Sequence, residues 1–314
     1  MQSKRYAAID IGTVTCRLLV ADADETDLNE LRREVVITNL GEGVDATGVL
    51  KPEAMERVAA QMKRFLAIIE EYKTPEHPEV VVIAMATSAS RDAKNSSEFA
   101  AMLDGIGIRL TVIPGEREAA LSFLGASSDF LGEDLLVVDI GGGSTEVIAG
   151  TGGCEPVFKH SFDIGCRRVT ERFLAADPPT AGELYAAKTW TKHSMAPKFD
   201  ELAATGFKPS RMIAVAGTAT SIVSIDERME VYDSERVHKT VVPLSVLEKV
   251  YAHLRSVPLA ERKEIVGLDP GRASVIVAGM VIVETVMELA RMKEFTVSET
   301  DILQGIILDA ARNG

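Results

Sequence analysis

The stretch VVDIGGGSTEVI at residues 137–148 carries the fold prediction, because the segment AAIDIGTVTCRLLV at residues 7–20 repeats its pattern. In each copy, an apolar run passes through Asp-Ile-Gly into small residues and then into a second apolar run. Two apolar runs joined by a turn of small residues are typical of a β-hairpin. The repetition therefore indicates a structural unit that occurs twice in the chain.

Strands and helices alternate in the same order after each hairpin, which predicts an α/β fold. The length of 314 residues suggests two domains. The chain after residue 216 is predicted to be mainly helical, with a long helix after Pro270-Gly271 and a terminal helix from about residue 298. Three pairs of segments correspond after the two hairpins. The first pair is a predicted strand at 34–38 and at 155–162, and the second is helical sequence at 52–72 and between about 167 and 202. The third is a buried strand at 80–86 and at 212–216.

The composition excludes several classes of protein. Hydrophobic residues make up 46% of the chain and charged residues 26%, so a full core can be buried. No uninterrupted apolar run is long enough to span a bilayer, and no secretory signal is recognisable, so we expect neither membrane insertion nor export. Three cysteines without CxxC pairing fit a reduced cytoplasm, and a net charge of −13 disfavours nucleic acid as a partner.

Both hairpin turns contain residues that suit phosphate binding. Glycine lets backbone N–H groups approach an anion closely, and hydroxyl side chains add further donors. For one turn alone, tight-turn geometry is the commoner explanation, and the repetition is what favours phosphate. The candidate phosphate-binding residues are Gly12, Thr13 and Thr15 in the first turn and Gly141, Gly142, Gly143, Ser144 and Thr145 in the second.

The two hairpins differ in charge at one matched position. Arg17 stands at the same offset after Asp10 as Glu146 does after Asp139. We therefore predict that Arg17 binds phosphate, and that Asp10, Asp139 and Glu146 bind Mg²⁺ or Mn²⁺ through carboxylate oxygens. The alternative for Asp10 and Asp139 is a carboxylate that accepts hydrogen bonds from its own turn.

Two charged residues near strand ends are further candidates. Arg91 follows the strand at 80–86 and is a candidate phosphate clamp, with a surface ion pair as the alternative. Glu118 stands in the first turn of a helix that begins after Pro114-Gly115, where it is a candidate general base. From the residues alone, a simple interaction with the helix dipole is the commoner explanation of a carboxylate there.

A third small-residue turn follows the strand at 212–216. Gly217, Thr218 and Thr220 open a helix there, and the N–H groups and dipole of a helix start favour an anion. Threonine capping is the commoner role for such a turn. The chain contains no GxxxxGK[ST] loop, so a Walker-type nucleotide site is not expected.

Together these segments resemble the Ppx/GppA family of exopolyphosphatases and guanosine pentaphosphate phosphohydrolases, within the superfamily of actin, sugar kinases and heat-shock chaperone ATPases. The resemblance covers nearly the whole chain. It implies two ribonuclease-H-like domains, at residues 1–125 and 126–297, with an interdomain cleft and a terminal helix at about 298–314 that packs on the first domain. The segments that carry it are AAIDIGTVTCRLLV, LGEGVDATGVL, ATSASRDAKN, VIPGEREAAL, VVDIGGGSTEVI, VAGTATSI and RASVIVAGM.

The resemblance also implies an activity, namely metal-dependent release of orthophosphate from the end of inorganic polyphosphate. Glu118 matches the catalytic glutamate of the family's GxxEA motif, and Arg91 matches the arginine of TSAxRxA. Asp139 and Glu146 match the acidic residues associated with metal and phosphate. Guanosine pentaphosphate is the alternative substrate, and a kinase-like ATPase or a non-catalytic polyphosphate or alarmone sensor are further alternatives. A homodimer is the expectation from symmetry statistics and from the resemblance.

One position departs from the family pattern. Related proteins commonly have DxGSNS or DxGTNS in the first turn, where this chain has Val14 in place of the asparagine. Backbone N–H contacts can survive this substitution, but the amide donor is lost. Substrate affinity or choice at the first turn is therefore expected to differ.

Overall fold

The computed structural model describes residues 3–313, which divide into two compact units. Unit 1 contains the chain up to Gly125 together with the segment from Asp301 onward, and unit 2 is Ala126–Thr300. The chain thus leaves unit 1 and returns to it with a terminal segment. Each unit is built around one mixed β-sheet.

Unit 1 has a five-stranded sheet. Its strands are β1 (Lys4–Ile11), β2 (Thr15–Ala23), β3 (Leu28–Ile37), β4 (Val81–Ala86) and β5 (Leu110–Val112). The first three form an antiparallel meander, β4 pairs in parallel with β1, and β5 pairs in parallel with β4. The order across the sheet is therefore β3-β2-β1-β4-β5.

Five helices belong to this part of the chain, namely α1 (Val44–Thr47), α2 (Pro52–Glu71), α3 (Ser88–Asp92), α4 (Ser96–Asp104) and α5 (Gly115–Ala126). The longest, α2, begins at Pro52, whose fixed φ and missing N–H suit the first helical position. Its buried side chains recur at helical spacing and include Met55, Val58, Met62 and Phe65. They bury one face of α2 against one face of the sheet.

Unit 2 has a six-stranded sheet made of β6 (Asp134–Ile140), β7 (Thr145–Thr151), β8 (Phe158–Phe162), β9 (Arg211–Val215), β10 (Val241–Pro243) and β11 (Glu294–Val297). An antiparallel meander of β6, β7 and β8 is followed by parallel pairing of β9 with β6 and of β11 with β9. This is the strand order of unit 1 with β10 added at the edge. The predicted duplication is confirmed, and the fold is the two-domain, actin-like α/β fold.

The helices of unit 2 are α6 (Cys166–Phe173), α7 (Ala181–Ala204), α8 (Ala216–Asp226), α9 (Ser234–Val237), α10 (Leu244–Ser256), α11 (Leu259–Arg262) and α12 (Ile276–Ala290). Helix α13 (Ile302–Asn313) follows in unit 1. The remainder is mainly helical, as predicted, but the prediction omitted the strands β10 and β11. Both strands are too short to show a period of two, and their pairing with β9 and with each other depends on distant parts of the chain.

The side chains of β1 alternate between two cores. Ala7, Ile9 and Ile11 face the core with α2, whereas Tyr6 and Ala8 face a second core. The C-terminal helix α13 covers this second core with Ile302, Leu303, Ile306 and Ile307. Among the described residues, no helix combines the length and the apolarity needed to cross a membrane.

Candidate functional site

The first hairpin turn lies at the C-terminal end of β1. The N–H of Gly12 donates to the carbonyl of Thr15 at 2.9 Å and closes the turn. The carbonyl oxygens of Thr13 and Val14 accept hydrogen bonds from the segment after β3, through the N–H groups of residues 38, 39 and 41, each at 2.9 Å. In a planar trans peptide the C=O and the following N–H point in opposite directions. The N–H groups of Val14 and Thr15 therefore point away from that segment.

Val14 takes part in this turn through its backbone. Its side chain is only 4% exposed, and its carbonyl accepts two of the hydrogen bonds just described. The replacement of an amide by valine at this position is therefore compatible with the turn, and the valine side chain contributes packing.

Asp10 and Arg17 are direct cross-strand partners on β1 and β2. Nε and Nη2 of Arg17 both contact Oδ2 of Asp10, at 3.0 and 2.9 Å, and Nη1 lies 2.5 Å from Oδ2 of Asp301. Burial raises the pKa of the Asp10 carboxyl above its ordinary range, and the charge and hydrogen bond of Arg17 oppose this rise. The guanidinium of Arg17 is thus held by two carboxylates, and its contact with phosphate stays a prediction.

Three buried polar atoms near the ends of β1 and β4 have no hydrogen-bond partner within residues 3–313. They are Oδ1 of Asp10, Oγ1 of Thr13 and Oγ of Ser90. Native folds rarely leave buried polar atoms unpaired, and those that remain require an explanation such as an ion or a functional role. Ser90 is a residue that the sequence pattern did not single out, because its partnerless hydroxyl becomes visible only in three dimensions.

Arg91 and Glu118 meet at the ends of β4 and β5. Arg91 lies in α3, directly after β4, and Glu118 lies in the first turn of α5, which follows β5. Nη1 of Arg91 donates to Oε2 of Glu118 and to the carbonyl of Ile113, both at 3.1 Å. Glu118 is only 7% exposed. The structure therefore brings together the candidate clamp and the candidate base, which are 27 positions apart in the sequence.

The second hairpin places two carboxylates opposite each other. Asp139 on β6 and Glu146 on β7 are direct cross-strand partners and are 5% and 1% exposed. Ser161 on β8 is the next residue in this row, and its hydroxyl donates to Oε1 of Glu146 at 2.6 Å. Residues directly opposite on paired strands project from the same face of the sheet. The two acidic side chains therefore lie beside each other on one face of the sheet, and both are buried.

The second turn is held in the same manner as the first. The carbonyls of Gly141 and Gly142 accept hydrogen bonds from the N–H groups at the start of α6, at 3.0 and 2.9 Å, and the carbonyl of Gly143 accepts one from Nε of Arg168 at 3.0 Å. The N–H groups of the following residues, up to Ser144, consequently point away from α6. A side chain at Gly165 would place its Cβ 2.3 Å from the backbone of Gly142, so this close approach requires glycine.

The hydroxyl side chains of the second turn are already occupied or buried. Oγ1 of Thr145 donates to the carbonyl of Ile164 at 2.5 Å, and Ser144 is 2% exposed. The Thr145 hydroxyl thus already has a partner within unit 2, and its contact with phosphate stays a prediction. The predicted contribution of this turn depends mainly on the amides of the glycines.

The third turn, at residues 217–220, begins α8. Thr218 is buried, and the hydroxyl of Thr220 lies 3.5 Å from the carbonyl of Gly217. The guanidinium of Arg272 packs directly on Gly217, because a Cβ at that glycine would lie 1.7 Å from Nη1. Arg272 belongs to the RASVIVAGM segment, yet no residue pattern assigned it to this turn. It adds a positive charge beside a helix start.

The predicted set of three metal ligands is not assembled within one unit. Asp139 and Glu146 belong to unit 2 and Asp10 to unit 1, and the described part of the chain has no group of three or more His, Cys, Asp or Glu side chains arranged to hold a metal ion. Mg²⁺ commonly uses one or two carboxylates and completes its shell with water and substrate phosphates. The buried pair of Asp139 and Glu146 fits such an ion, because it offers two carboxylates, the kind of ligand by which Mg²⁺ is commonly held.

The chain is similar over most of its length to known phosphatases. The model of the Ppx/GppA phosphatase family matches residues 19–313. The chain is 38% identical to Exopolyphosphatase 2 of Mycobacterium tuberculosis, over 99% of this chain and 100% of that protein. It is also 35% identical to a bifunctional 3-dehydroquinate synthase/phosphatase of Fusobacterium nucleatum, over 98% of this chain and 46% of that protein.

Solved structures give the same result. An exopolyphosphatase-like protein superimposes with a TM-score of 0.91 at 33% identity, covering 100% of this chain and 99% of the other. An exopolyphosphatase from Cytophaga hutchinsonii superimposes with a TM-score of 0.88 at 28% identity, covering 99% and 98%. Since the family model and a relative of 38% identity both extend over nearly the whole sequence, this chain belongs to the Ppx/GppA phosphatase family.

Proposed function

We propose that the chain hydrolyses the terminal phosphoanhydride bond of inorganic polyphosphate and releases orthophosphate. The observation that carries this proposal is the ion pair of Arg91 and Glu118, a buried carboxylate bonded to an arginine at the ends of two strands. Similarity over the full length to proteins named exopolyphosphatase supports polyphosphate as the substrate.

Glu118 serves as the general base. Phosphoryl transfer to water requires a positioned water molecule and an acceptor for its proton, and a carboxylate supplies both functions. The bond from Nη1 of Arg91 fixes Oε2 of Glu118, and the main-chain bond to Ile113 fixes Arg91 in turn. The proton moves from the attacking water to the Glu118 carboxylate as the new P–O bond forms. The bridging P–O bond breaks, and the shortened polyphosphate leaves with the bridging oxygen as its new terminal oxygen.

Arg91 has a second task, which is to bind the terminal phosphate. The side-chain hydrogen bonds of Arg91 within the described chain all use Nη1. Nε and Nη2 can therefore donate in parallel to two phosphate oxygens, the fork geometry that distinguishes arginine from lysine. One side chain then contacts both the base and the group under attack, so base and phosphate are aligned together.

The two hairpin turns bind further phosphate oxygens through backbone N–H groups. Those of Val14 and Thr15 in the first turn and of residues 142–144 in the second point away from the segments that hold their carbonyls. Such preorganised donors stabilise negative charge without reorganisation during the reaction. We propose that Arg272 adds a positive charge at the third turn.

Asp139 and Glu146 are the proposed ligands of Mg²⁺ or Mn²⁺. The bound ion supplies positive charge that offsets the charge on the phosphate oxygens. The hydroxyl of Ser161 holds one oxygen of Glu146 in place and so orients this ligand.

Phosphate release by the purified protein tests the proposal. Inorganic polyphosphate, guanosine pentaphosphate and ATP are compared with Mg²⁺, with Mn²⁺ and with chelator. We expect the highest kcat/KM for polyphosphate and loss of release in chelator. Release from guanosine pentaphosphate alone would assign the alternative substrate, and absence of release from all three would contradict a hydrolase.

The variant Glu118→Gln tests the role of the base. Removing a general base is expected to lower kcat by about 10²- to 10⁴-fold, with little change in polyphosphate binding. Glu116→Gln is the matched control, because Glu116 lies in the same helical turn but is exposed. Wild-type kcat in Glu118→Gln would exclude Glu118 as the base.

A further inference from the structure

Asp301 has partners of two kinds, groups at the start of α13 and the arginines Arg17 and Arg33 of neighbouring strands. It is the residue before α13, where Oδ1 accepts the N–H of Leu303 at 2.9 Å and the Asp301 N–H donates to Oε1 of Gln304 at 2.9 Å. This reciprocal pair is a capping box that satisfies the start of the helix. The other oxygen, Oδ2, lies 2.5 Å from Nη1 of Arg17. One carboxylate thus caps α13 and holds a side chain of β2.

Arg17 passes this restraint on to Asp10. With Nη1 on Asp301, the planar guanidinium directs Nε and Nη2 to Oδ2 of Asp10. Both nitrogens contact the same oxygen, so Oδ2 of Asp10 is held in place, and Oδ1 is the oxygen that has no partner in the described chain. The side chains of Arg17 and Asp301 are 13% and 7% exposed, so water screens the pair little.

The position of Asp301 is fixed by backbone contact between α5 and α13. A Cβ at Gly125 would lie 1.8 Å from the carbonyl oxygen of Asp301, and a Cβ at Gly305 would lie 1.9 Å from that of Leu121. The two helices can approach this closely only because both residues are glycine. Helix α5 also carries Glu118, so Asp301 is held against the helix of the proposed base.

We propose that Asp301 and Arg17 are positioning residues for the hydrolysis, which hold Asp10 so that its Oδ1 can bind the complex of polyphosphate with its divalent cation. This inference rests on the proposed function. The Asp10 carboxylate that pairs with Arg17 is a hydrogen-bond acceptor, as phosphate oxygens are, so it acts through the cation or its bound water. Asp301 acts through Arg17 and touches neither the substrate nor the ion.

Asp301→Asn separates this role from helix capping. Asparagine caps helices as well as aspartate does, but it removes the charge that holds Arg17. The measurement is equilibrium binding of polyphosphate in the presence of Mn²⁺, made in a Glu118→Gln background so that the substrate is not consumed. We expect binding to weaken by about 10- to 100-fold, the usual effect of removing a partner that orients a metal ligand.

Two variants of α13 are matched controls. Asp309→Asn breaks the ion pair between Asp309 of α13 and Arg117 of α5, and Gln304→Ala breaks the other half of the capping box. Both are expected to leave the binding of polyphosphate with Mn²⁺ unchanged, although Gln304→Ala lowers the Tm. If Gln304→Ala weakens polyphosphate binding as much as Asp301→Asn does, the effect comes from helix capping and the proposal is overturned.

Arg17→Lys provides an independent test, because lysine keeps the charge but cannot bridge two carboxylates with a planar fork. It is expected to weaken binding as Asp301→Asn does, and the double variant should be no weaker than Arg17→Lys alone. Unchanged binding in either folded single variant overturns the positioning role. If the wild-type protein releases no phosphate, the proposed function is contradicted. If it releases phosphate but Asp301→Asn binds polyphosphate as tightly as Asp309→Asn does, only the positioning role is contradicted.

Discussion

The β1–β2 and β6–β7 hairpins share a backbone arrangement and differ in one pair of side chains. In both turns the carbonyls are bonded by a following segment, residues 38–41 in one case and the start of α6 in the other. The matched cross-strand pair is Asp10 with Arg17 in the first hairpin and Asp139 with Glu146 in the second. The anion-binding amides are therefore common to both, and the side chains decide what else each hairpin can bind.

The difference between the two cross-strand pairs changes the electrostatic energy of each hairpin. Opposite charges directly across two strands stabilise each other, so the first hairpin balances its own charge. Two buried carboxylates in the same relation repel each other and favour a positive ion. The cation proposed for the second hairpin would thus take the place that Arg17 holds in the first.

The largest expected effect concerns this acidic pair. Glu146→Gln removes one proposed metal ligand and should lower polyphosphate turnover by at least about 100-fold, because loss of a partner that only orients a ligand already costs about 10- to 100-fold. Turnover is measured over a range of Mg²⁺ concentrations. Ser161→Ala, which removes only the hydroxyl bonded to Glu146, should have a smaller effect. Equal turnover in Glu146→Gln and wild type would contradict the proposed metal-binding role of Glu146, and with it the proposed difference between the two hairpins.

The next effect concerns how firmly each turn is held. Gly165→Ala would place a methyl group 2.3 Å from the backbone of Gly142, whereas Gly41→Ala would meet the Thr13 methyl at 2.2 Å, which can move. We expect Gly165→Ala to lower the free energy of unfolding by about 1–3 kcal/mol and to raise KM. Gly41→Ala should have a smaller effect on both, as measured by urea unfolding and steady-state kinetics. The reverse ranking would show that the first turn is the more rigid one.

Val14 tests whether side chains of the first turn contact substrate. Val14→Ala removes buried methyl groups and should lower the free energy of unfolding by about 1–3 kcal/mol. Because the amides of the turn remain in place, KM for polyphosphate should change by less than a factor of about two. A large rise in KM without loss of stability would show that the Val14 side chain contributes to the site.

The smallest effect is a pH dependence at the opposite ends of the same hairpins. Arg5 and Asp22 are cross-strand partners joined by bonds of 2.7 and 2.8 Å, and the hydrogen bond from Arg5 lowers the pKa of Asp22 below its ordinary value of 3.8. Since the pKa is lower in the folded state, the ionised carboxylate stabilises the fold above pH 3.8, and this contribution is lost as the pH falls through the lowered value.

Urea unfolding of wild type and Asp22→Asn measures this contribution. The difference should be about 1 kcal/mol or less at pH 6 and should shrink below pH 3.8. The corresponding positions in the second hairpin are Asp134 and Thr151, joined by a hydroxyl bond of 2.7 Å. A constant difference between wild type and Asp22→Asn from pH 6 to pH 2 would contradict the assigned ion pair.

Local patterns predicted much of this arrangement. The repeated Asp-Ile-Gly run located both hairpins, and matching offsets identified the pairs that the strand register places opposite each other. Strand β11 has only four residues and no periodic signal, so it was missed. Asp301 and Arg17 are 284 positions apart, and the contact of Arg272 with Gly217 is also long-range. Such contacts arise from tertiary packing, so the spacing of residues along the sequence does not predict them.

The return of α13 to unit 1 also constrains the order of folding. Unit 2 is one continuous segment, so all of its strands are available before residue 301 is synthesised. Unit 1 lacks the apolar side chains that cover one face of its sheet until α13 has left the ribosome. Domains generally fold as units during synthesis. The half of the protein that begins at the N-terminus is therefore completed last, and the bond from Asp301 to Arg17 forms with it.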